Sequence, residues 1–250
     1  CIYIQYLRSR PGRQAASRRS PDPMSYVELH CLTCYSFLRG ASRPEELVER
    51  AAALGYGGLA VTDECSLAGV VKAHVAAKAC NLPLIVGSEF NLTEGIRLVA
   101  LAPTLAAYRE LSGLISLARR RSPKGKYRAT LRDVIFHLKR CLLIWLPAAD
   151  DATTRGYGRQ LARLCQHRVW VGIHHHLGPG DQQRGAMLVA LARELGLPAV
   201  ACGDVQMHSA RRKPLHDVMA ALRHHCSVAE LGQRRLPNAQ RHLRHPALLA

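Results

Sequence analysis

The chain has 250 residues and a formal charge of +17, from 35 Lys and Arg against 18 Asp and Glu. With 48% hydrophobic and 21% charged residues it has a globular composition, which excludes a disordered or fibrous chain. No apolar run approaches the roughly 20 residues a bilayer-spanning helix needs, so no membrane partner is expected.

Residues 1–23 carry five arginines and one acid without periodicity and are followed by Met24. They are expected to be a disordered or non-native leader, outside the fold. From Tyr26 onward, short apolar runs predict seven strands: YVELH (26–30), GLAVT (58–62), LIVG (84–87), RLVALA (97–102), LLIWL (142–146), VWVGI (169–173) and PAVACG (198–203). Between them lie segments of helical period, at 44–55, 66–80, 104–121, 130–140, 159–168 and 184–196. Pro44 opens the first of these and Gly55 closes it. Strand then helix, repeated, predicts right-handed crossovers and a parallel sheet. Seven such units would close as a TIM-like barrel one unit short, with an open doubly wound sheet as the alternative.

The nine cysteines are odd in number and scattered among apolar residues, which fits reduced thiols and a cytoplasmic setting. The positive excess favours a polyanionic neighbour, nucleic acid first. It also fits an Arg-rich solvated surface, since no basic stripe is interleaved with aromatics.

Parallel βα folds gather their chemistry at the C-terminal ends of strands. The residues there are His30, then Asp63 and Glu64, then Glu89, then His174 to His176, then Asp204. Cys31 and Cys34 have zinc-knuckle spacing, but no second C-x-x-C completes four ligands, and the pair does not open a helix as a redox motif does. In HHH at 174–176, adjacent side chains alternate, so at most His174 and His176 share a face. His74 has the spacing of an ordinary helical side chain. The acids with His30 have the character of hard-cation ligands in a hydrolytic metal cluster, while Asp63 alone would serve equally as a helix cap.

Four stretches, ELHCLTCYSFLRGAS, ALGYGGLAVTDECSLAGVVKAH, LPLIVGSEF and ACGDVQMHSARRKPLHDV, closely resemble the N-terminal PHP (polymerase and histidinol phosphatase) domain of bacterial C-family DNA polymerases. These are the DNA polymerase III alpha subunits. The TDE-C-S-L-A-G and GDV-x-MH forms resemble the error-prone branch used in damage-induced mutagenesis. The resemblance implies an α/β fold, a distorted seven-stranded (βα)7 TIM-like barrel. It also implies a PHP domain over 24–225, with 226–250 starting the connection to a polymerase body.

Active members of that family present H-x-H, T-D-H, G-x-E and D-x-H motifs to metal ions. Here His30, Asp63, Glu89 and Asp204 match, but Leu32, Glu64 and Gln206 replace histidines, and Arg97 takes another histidine's place. The implied site is vestigial for hydrolysis, with His208 as a replacement ligand that keeps weak zinc or manganese binding open. Nucleotidyl transfer would belong to a palm domain whose paired aspartates hold Mg²⁺, and no D-x-D occurs in this chain. The resemblance further implies DNA as a partner through the intact polymerase, alongside other mutagenesis or replication proteins. Arg119, Arg120, Arg121, Lys124, Lys126, Arg211, Arg212 and Lys213 are the candidate DNA contacts. The rival reading is a stand-alone metal-dependent phosphoesterase of PHP type.

Overall fold

A computed structural model describes residues 26–165 and 167–248. The leader expected at 1–23 lies outside the described residues. The described chain divides into two compact units. One, here the terminal unit, holds residues 26–85, 176–178 and 203–248; the other, the central unit, holds 86–175 and 179–202.

In the terminal unit β1 (Val27–Glu28) pairs in parallel with β2 (Gly58–Val61), Val27 opposite Gly58. The crossover between them is α1 (Pro44–Ala53), which starts with Pro44 and the acids Glu45 and Glu46 and ends with Arg50, each favourable at its end of the helix dipole. Glu46 also accepts the Arg43 N–H at 2.8 Å, closing the helix start. Leu47, Val48 and Ala51 share a face and are fully buried with Leu59, Val61 and Ala73 of this unit's core. The chain leaves α1 through Gly55 at φ +73, where a side chain would be strained. α2 (Val70–Ala79) buries Ala73, Ala76 and Ala77 and leaves His74 exposed, as its spacing predicts.

Beyond the seven runs, α7 (Lys213–His224) is a helix that the strand and helix pattern above does not contain. Its buried face is the polar His216 and Asp217 with Ala220 and Ala221, while its apolar period of Leu215, Val218 and Leu222 is exposed. Residues after 225 pack into the same unit. Leu231 sits against Ala220 and Ala221, Leu243 is fully buried, and the Arg244 carbonyl accepts the Tyr56 hydroxyl at 2.7 Å.

In the central unit the strands run in the order β3 (Leu84–Asn91, entered from the terminal unit), β4 (Arg97–Leu101), β5 (Leu142–Trp145), β6 (Val169–Ile173) and β7 (Ala199–Ala201). β5, β6 and β7 are parallel, with helices α5 (Ala152–Leu164) and α6 (Asp181–Glu194) in the crossovers. The parallel expectation fails at β4, which is antiparallel to both β3 and β5. The cause is local. Residues 92–96 form a tight turn, with Leu92 N–H donating to the Ile96 carbonyl at 2.8 Å and Gly95 at φ +80. A connection this short closes a hairpin, because a parallel crossover needs a dozen or more residues.

α3 (Leu105–Arg120) is capped by Thr104, whose hydroxyl accepts the Ala107 N–H at 3.2 Å. Its buried stripe is Ala107, Leu111, Leu114 and Ala118. α4 (Leu131–His137) starts from a reciprocal Thr130 and Asp133 capping box. The seven-stranded α/β architecture expected from the apolar runs is thus present. Among the described residues, no helix is long and apolar enough to cross a membrane.

Candidate metal centre

In the terminal unit the chain after β1 runs beside residues 203–205. Val205 N–H donates to the His30 carbonyl at 2.9 Å, and Leu32 N–H donates to the Val205 carbonyl at 2.8 Å. This backbone ladder brings His30 Nδ1 to 3.7 Å from Asp204 Oδ1, both side chains fully enclosed. Asp204 has φ +45, a left-handed conformation that aims its carboxylate at a second partner. That partner is Arg241, whose Nη1 donates to Oδ2.

Glu28 underlies the ladder. Its Oε1 accepts from Gly203 N–H at 2.8 Å and His30 N–H at 2.9 Å, and its Oε2 accepts the Tyr26 hydroxyl at 3.0 Å. Burial raises its pKa above the ordinary carboxylate range, and these hydrogen bonds pull it back only in part. Gly203 is required here, because a Cβ would meet Glu28 Oε2 at 2.3 Å.

Asp63, at the end of β2, does not cap a helix. It ties down the segment after His30, accepting Thr33 N–H and Thr33 Oγ1 at 2.8 Å each and Ser36 Oγ at 2.7 Å. Burial raises its pKa, while the Ser36 and Thr33 hydrogen bonds lower it. Glu64 turns away to pair with Arg39, and its backbone N–H donates to the Ser36 hydroxyl at 3.0 Å. The replaced histidine positions hold a fully buried Leu32 and a Gln206 whose Oε1 lies 2.8 Å from His216 Nε2. His208 is held by Ser42, with Oγ 2.9 Å from Nδ1, and has Glu46 at 3.9 Å.

In the central unit the hairpin sets the site. Arg97 stands opposite Asn91, which places it diagonally across the ladder from Glu89 on the same face. Its Nη2 donates to Oε2 of the fully buried Glu89 at 2.7 Å, and Asn91 Nδ2 donates to Oε1 at 3.1 Å. Cys202 N–H donates to the Ile173 carbonyl at 3.0 Å, and the adjacent His174 offers a ring nitrogen within 4.8 Å of the Cys202 thiol. His175 is exposed; His176, already in the terminal unit, reaches the Gly203 carbonyl of that unit at 2.9 Å.

Two pairs of ligand-type side chains are therefore close enough to share an ion within their own unit: His30 with Asp204, and His174 with Cys202. The acids, however, are already answered by protein groups. Glu89 has Arg97, Asp204 has Arg241, Glu64 has Arg39, and Asp63 has three hydrogen bonds from hydroxyls and an amide. Guanidiniums supply the positive charge that hard cations would. An ion at these carboxylates would have to compete with protein partners they already have. Cys31 and Cys34 are free, and burial pushes both thiols up, so neither is a ready thiolate.

Five of the DNA-contact candidates lie in the central unit and three in the terminal unit. Arg121 is taken by Asp133 at 2.8 Å, and Arg119 lies over the Tyr127 ring at 5.3 Å, while Arg120, Lys124 and Lys126 are exposed. Arg212 is taken by Glu46 and Lys213 by Asp217 at 2.6 Å, leaving Arg211 exposed. Arg241, Arg39, Glu28 and the Cys202–His174 pair were not anticipated from sequence. Only Thr33 and Ser36 gave a local sign, as two hydroxyls directly after His30.

Residues 28–146 match the family model of the PHP domain. The chain is 49% identical over 221 residues to an error-prone DNA polymerase of Saccharophagus degradans, an alignment covering 88% of this chain and 22% of that protein. It is 50% identical over 228 residues to the error-prone DNA polymerase of Methylococcus capsulatus, covering 90% and 21% respectively. The chain thus spans only about a fifth of the length of these curated relatives. Two solved structures share its fold at 18% identity, each covering 73% of this chain and 88% of the other. They are a protein described as a metal-dependent phosphoesterase from Bifidobacterium adolescentis, at TM-score 0.52, and an amidohydrolase from Chromobacterium violaceum, at 0.54.

Proposed function

We propose that this chain, which carries the PHP domain found in error-prone DNA polymerases, is the N-terminal supporting domain of such a polymerase, with a metal site that has lost its hydrolytic role. The polymerase would act in damage-induced DNA synthesis in the cytoplasm, through a palm domain beyond this chain that holds Mg²⁺. The PHP domain would span 24–225, with the connection to the polymerase body starting at 226–250. The observation that carries the supporting role is the pairing of candidate metal-ligand carboxylates with arginines, Glu89 with Arg97 and Asp204 with Arg241.

A hydrolytic cluster activates water by concentrating positive charge on carboxylates and imidazoles. Here that charge is covalently part of the chain and lowers no water's pKa. His30 with Asp204, or His174 with Cys202, would support only weak zinc or manganese binding, while His208, expected as a replacement ligand, is held by Ser42 and is in neither group.

The test is metal analysis of the purified chain after dialysis, with a phosphoesterase assay on a chromogenic phosphate ester at added Mn²⁺ or Zn²⁺. Sub-stoichiometric metal and no EDTA-sensitive hydrolysis are expected. Stoichiometric metal with hydrolysis abolished by Asp63→Ala would overturn the reading in favour of a PHP-type phosphoesterase.

A further inference from the structure

Several cations of the terminal unit are matched to acids. Arg39 has Glu64, Arg212 has Glu46, Lys213 has Asp217, Arg241 has Asp204, and Arg235 stands 3.8 Å from Asp217. Other cations of this unit have no such partner among the described residues, and two of them meet in one place. Arg50, in the last turn of α1, and Arg211, just before α7, are exposed and have no carboxylate partner among the described residues. They face one cavity of about 390 Å³, whose wall is Arg50, His208, Ser209 and Arg211.

Every side chain of that wall can donate a hydrogen bond. Ser42 accepts the His208 N–H at 2.8 Å and lies 2.9 Å from Nδ1, so its hydroxyl can hold Nδ1 as an acceptor. The neutral ring then carries its proton on Nε2, which has no protein partner among the described residues. The Ser209 hydroxyl accepts the Arg211 N–H at 3.4 Å and keeps its own proton to donate. The nearest acid is Glu46, 3.9 Å from His208 Nδ1, and Arg212 and the Arg43 N–H already occupy its two oxygens. Two unpaired guanidiniums, an imidazole and a hydroxyl around one concavity match a tetrahedral oxyanion carrying negative charge.

We propose that Arg50, His208, Ser209 and Arg211 form a phosphate-binding pocket that takes one backbone phosphate of a nucleic-acid strand. The phosphate chemistry follows from the pocket alone; the strand as its source rests on the polymerase reading above. Arg50 and Arg211 would hold the charge in the manner of phosphate contacts that position a strand without reading its sequence.

The experiment measures binding of a fluorescent single-stranded DNA oligonucleotide to the 250-residue chain across a salt series. It compares wild type, Arg50→Ala/Arg211→Ala, and Arg159→Ala/Arg163→Ala, which removes the same charge from α5. The pocket variant is expected to bind about 10-fold more weakly and to lower the salt slope by about 1, for the one phosphate the pocket holds. The α5 variant should change far less.

Equal losses in both variants, or none in the pocket variant, would overturn the pocket while leaving a general DNA-holding role intact. A second arm adds inorganic phosphate and follows the amide NMR signals of Ser209 and Arg211. If wild type bound no strand but showed phosphate-dependent shifts lost in the pocket variant, the strand would be eliminated and a free-phosphate site would stand. No response in either arm sinks the proposal.

Discussion

Arg97 and Glu89 meet diagonally across the β3–β4 hairpin, guanidinium to carboxylate at 2.7 Å, with Glu89 fully buried and the Arg97 side chain 25% exposed. Removing one member of such a pair strands the other charge away from water. Arg97→Met should cost about 3 kcal/mol of stability. The double variant Glu89→Gln/Arg97→Met should recover most of the loss, because no charge is then left unpaired. Urea denaturation of the three proteins decides it, and equal stability of single and double variants would count against the pairing.

Glu28 makes stability depend on pH in a direction opposite to most carboxylates. Burial holds its folded pKa above the ordinary 4.5, so folding favours the protonated form. Its contribution is fully present below 4.5 and is lost as pH rises through the raised value. Glu28→Gln keeps an oxygen for the Gly203 and His30 amides, and the Tyr26 hydroxyl can turn to accept from the new amide. This variant should match or exceed wild-type stability at pH 8 and lack the decline. A Glu28→Gln protein less stable than wild type at pH 8 would show that the charged form is the one the fold prefers.

His216 works in the acid direction. Burial first, and then Lys213 and Arg241, push its pKa down to about 4 against the pull of Asp217. Folding therefore favours the neutral ring, and the contribution present above 6.5 is lost as pH falls through 4. The loss is on the order of 3 kcal/mol. His216→Gln, which keeps a donor for Gln206 Oε1, should flatten the stability profile between those limits. Denaturation midpoints at pH 7 and pH 4.5 provide the comparison, and an unchanged slope would rule His216 out as the source.

Asp63 is a staple for the segment after His30, with three donors aimed at one carboxylate. Asp63→Ala leaves the Thr33 amide and two hydroxyls unpaired and should cost about 2–3 kcal/mol. The Thr33 and Glu64 amides should then exchange with deuterium faster than those of α1. Unchanged protection at Thr33 would mean that the backbone holds its shape without the carboxylate.

The parts of the fold that could be read from sequence are those with local causes. Pro44, the first-turn acids and Gly55 delimit α1, and the apolar runs mark all seven strands, because burial and backbone geometry act over a few residues. The turn at 92–96 was written just as locally, in Gly95 and a spacer too short for a helix, yet a repeating strand and helix pattern obscured it. α7 carries a helical apolar period in Leu215, Val218 and Leu222, yet it follows the last strand and so fell outside the strand and helix alternation; that this period is exposed and His216 and Asp217 are buried depends on partners elsewhere in the unit. At the site, His30, Asp63, Glu89 and Asp204 follow from strand-end logic and family resemblance. Arg241 could not be found that way, since 37 residues separate it from Asp204 and only the tertiary fold brings them together.

The hairpin has an electrostatic meaning beyond its topology. Side chains alternate faces along a strand, so the number of residues between Asn91 and Arg97 decides which face the guanidinium takes. One residue inserted at Gly95 would swing Arg97 outward and leave Glu89 confronting an aliphatic neighbour, with the composition of both strands unchanged. The length of a five-residue loop thus acts as a charge-placement device.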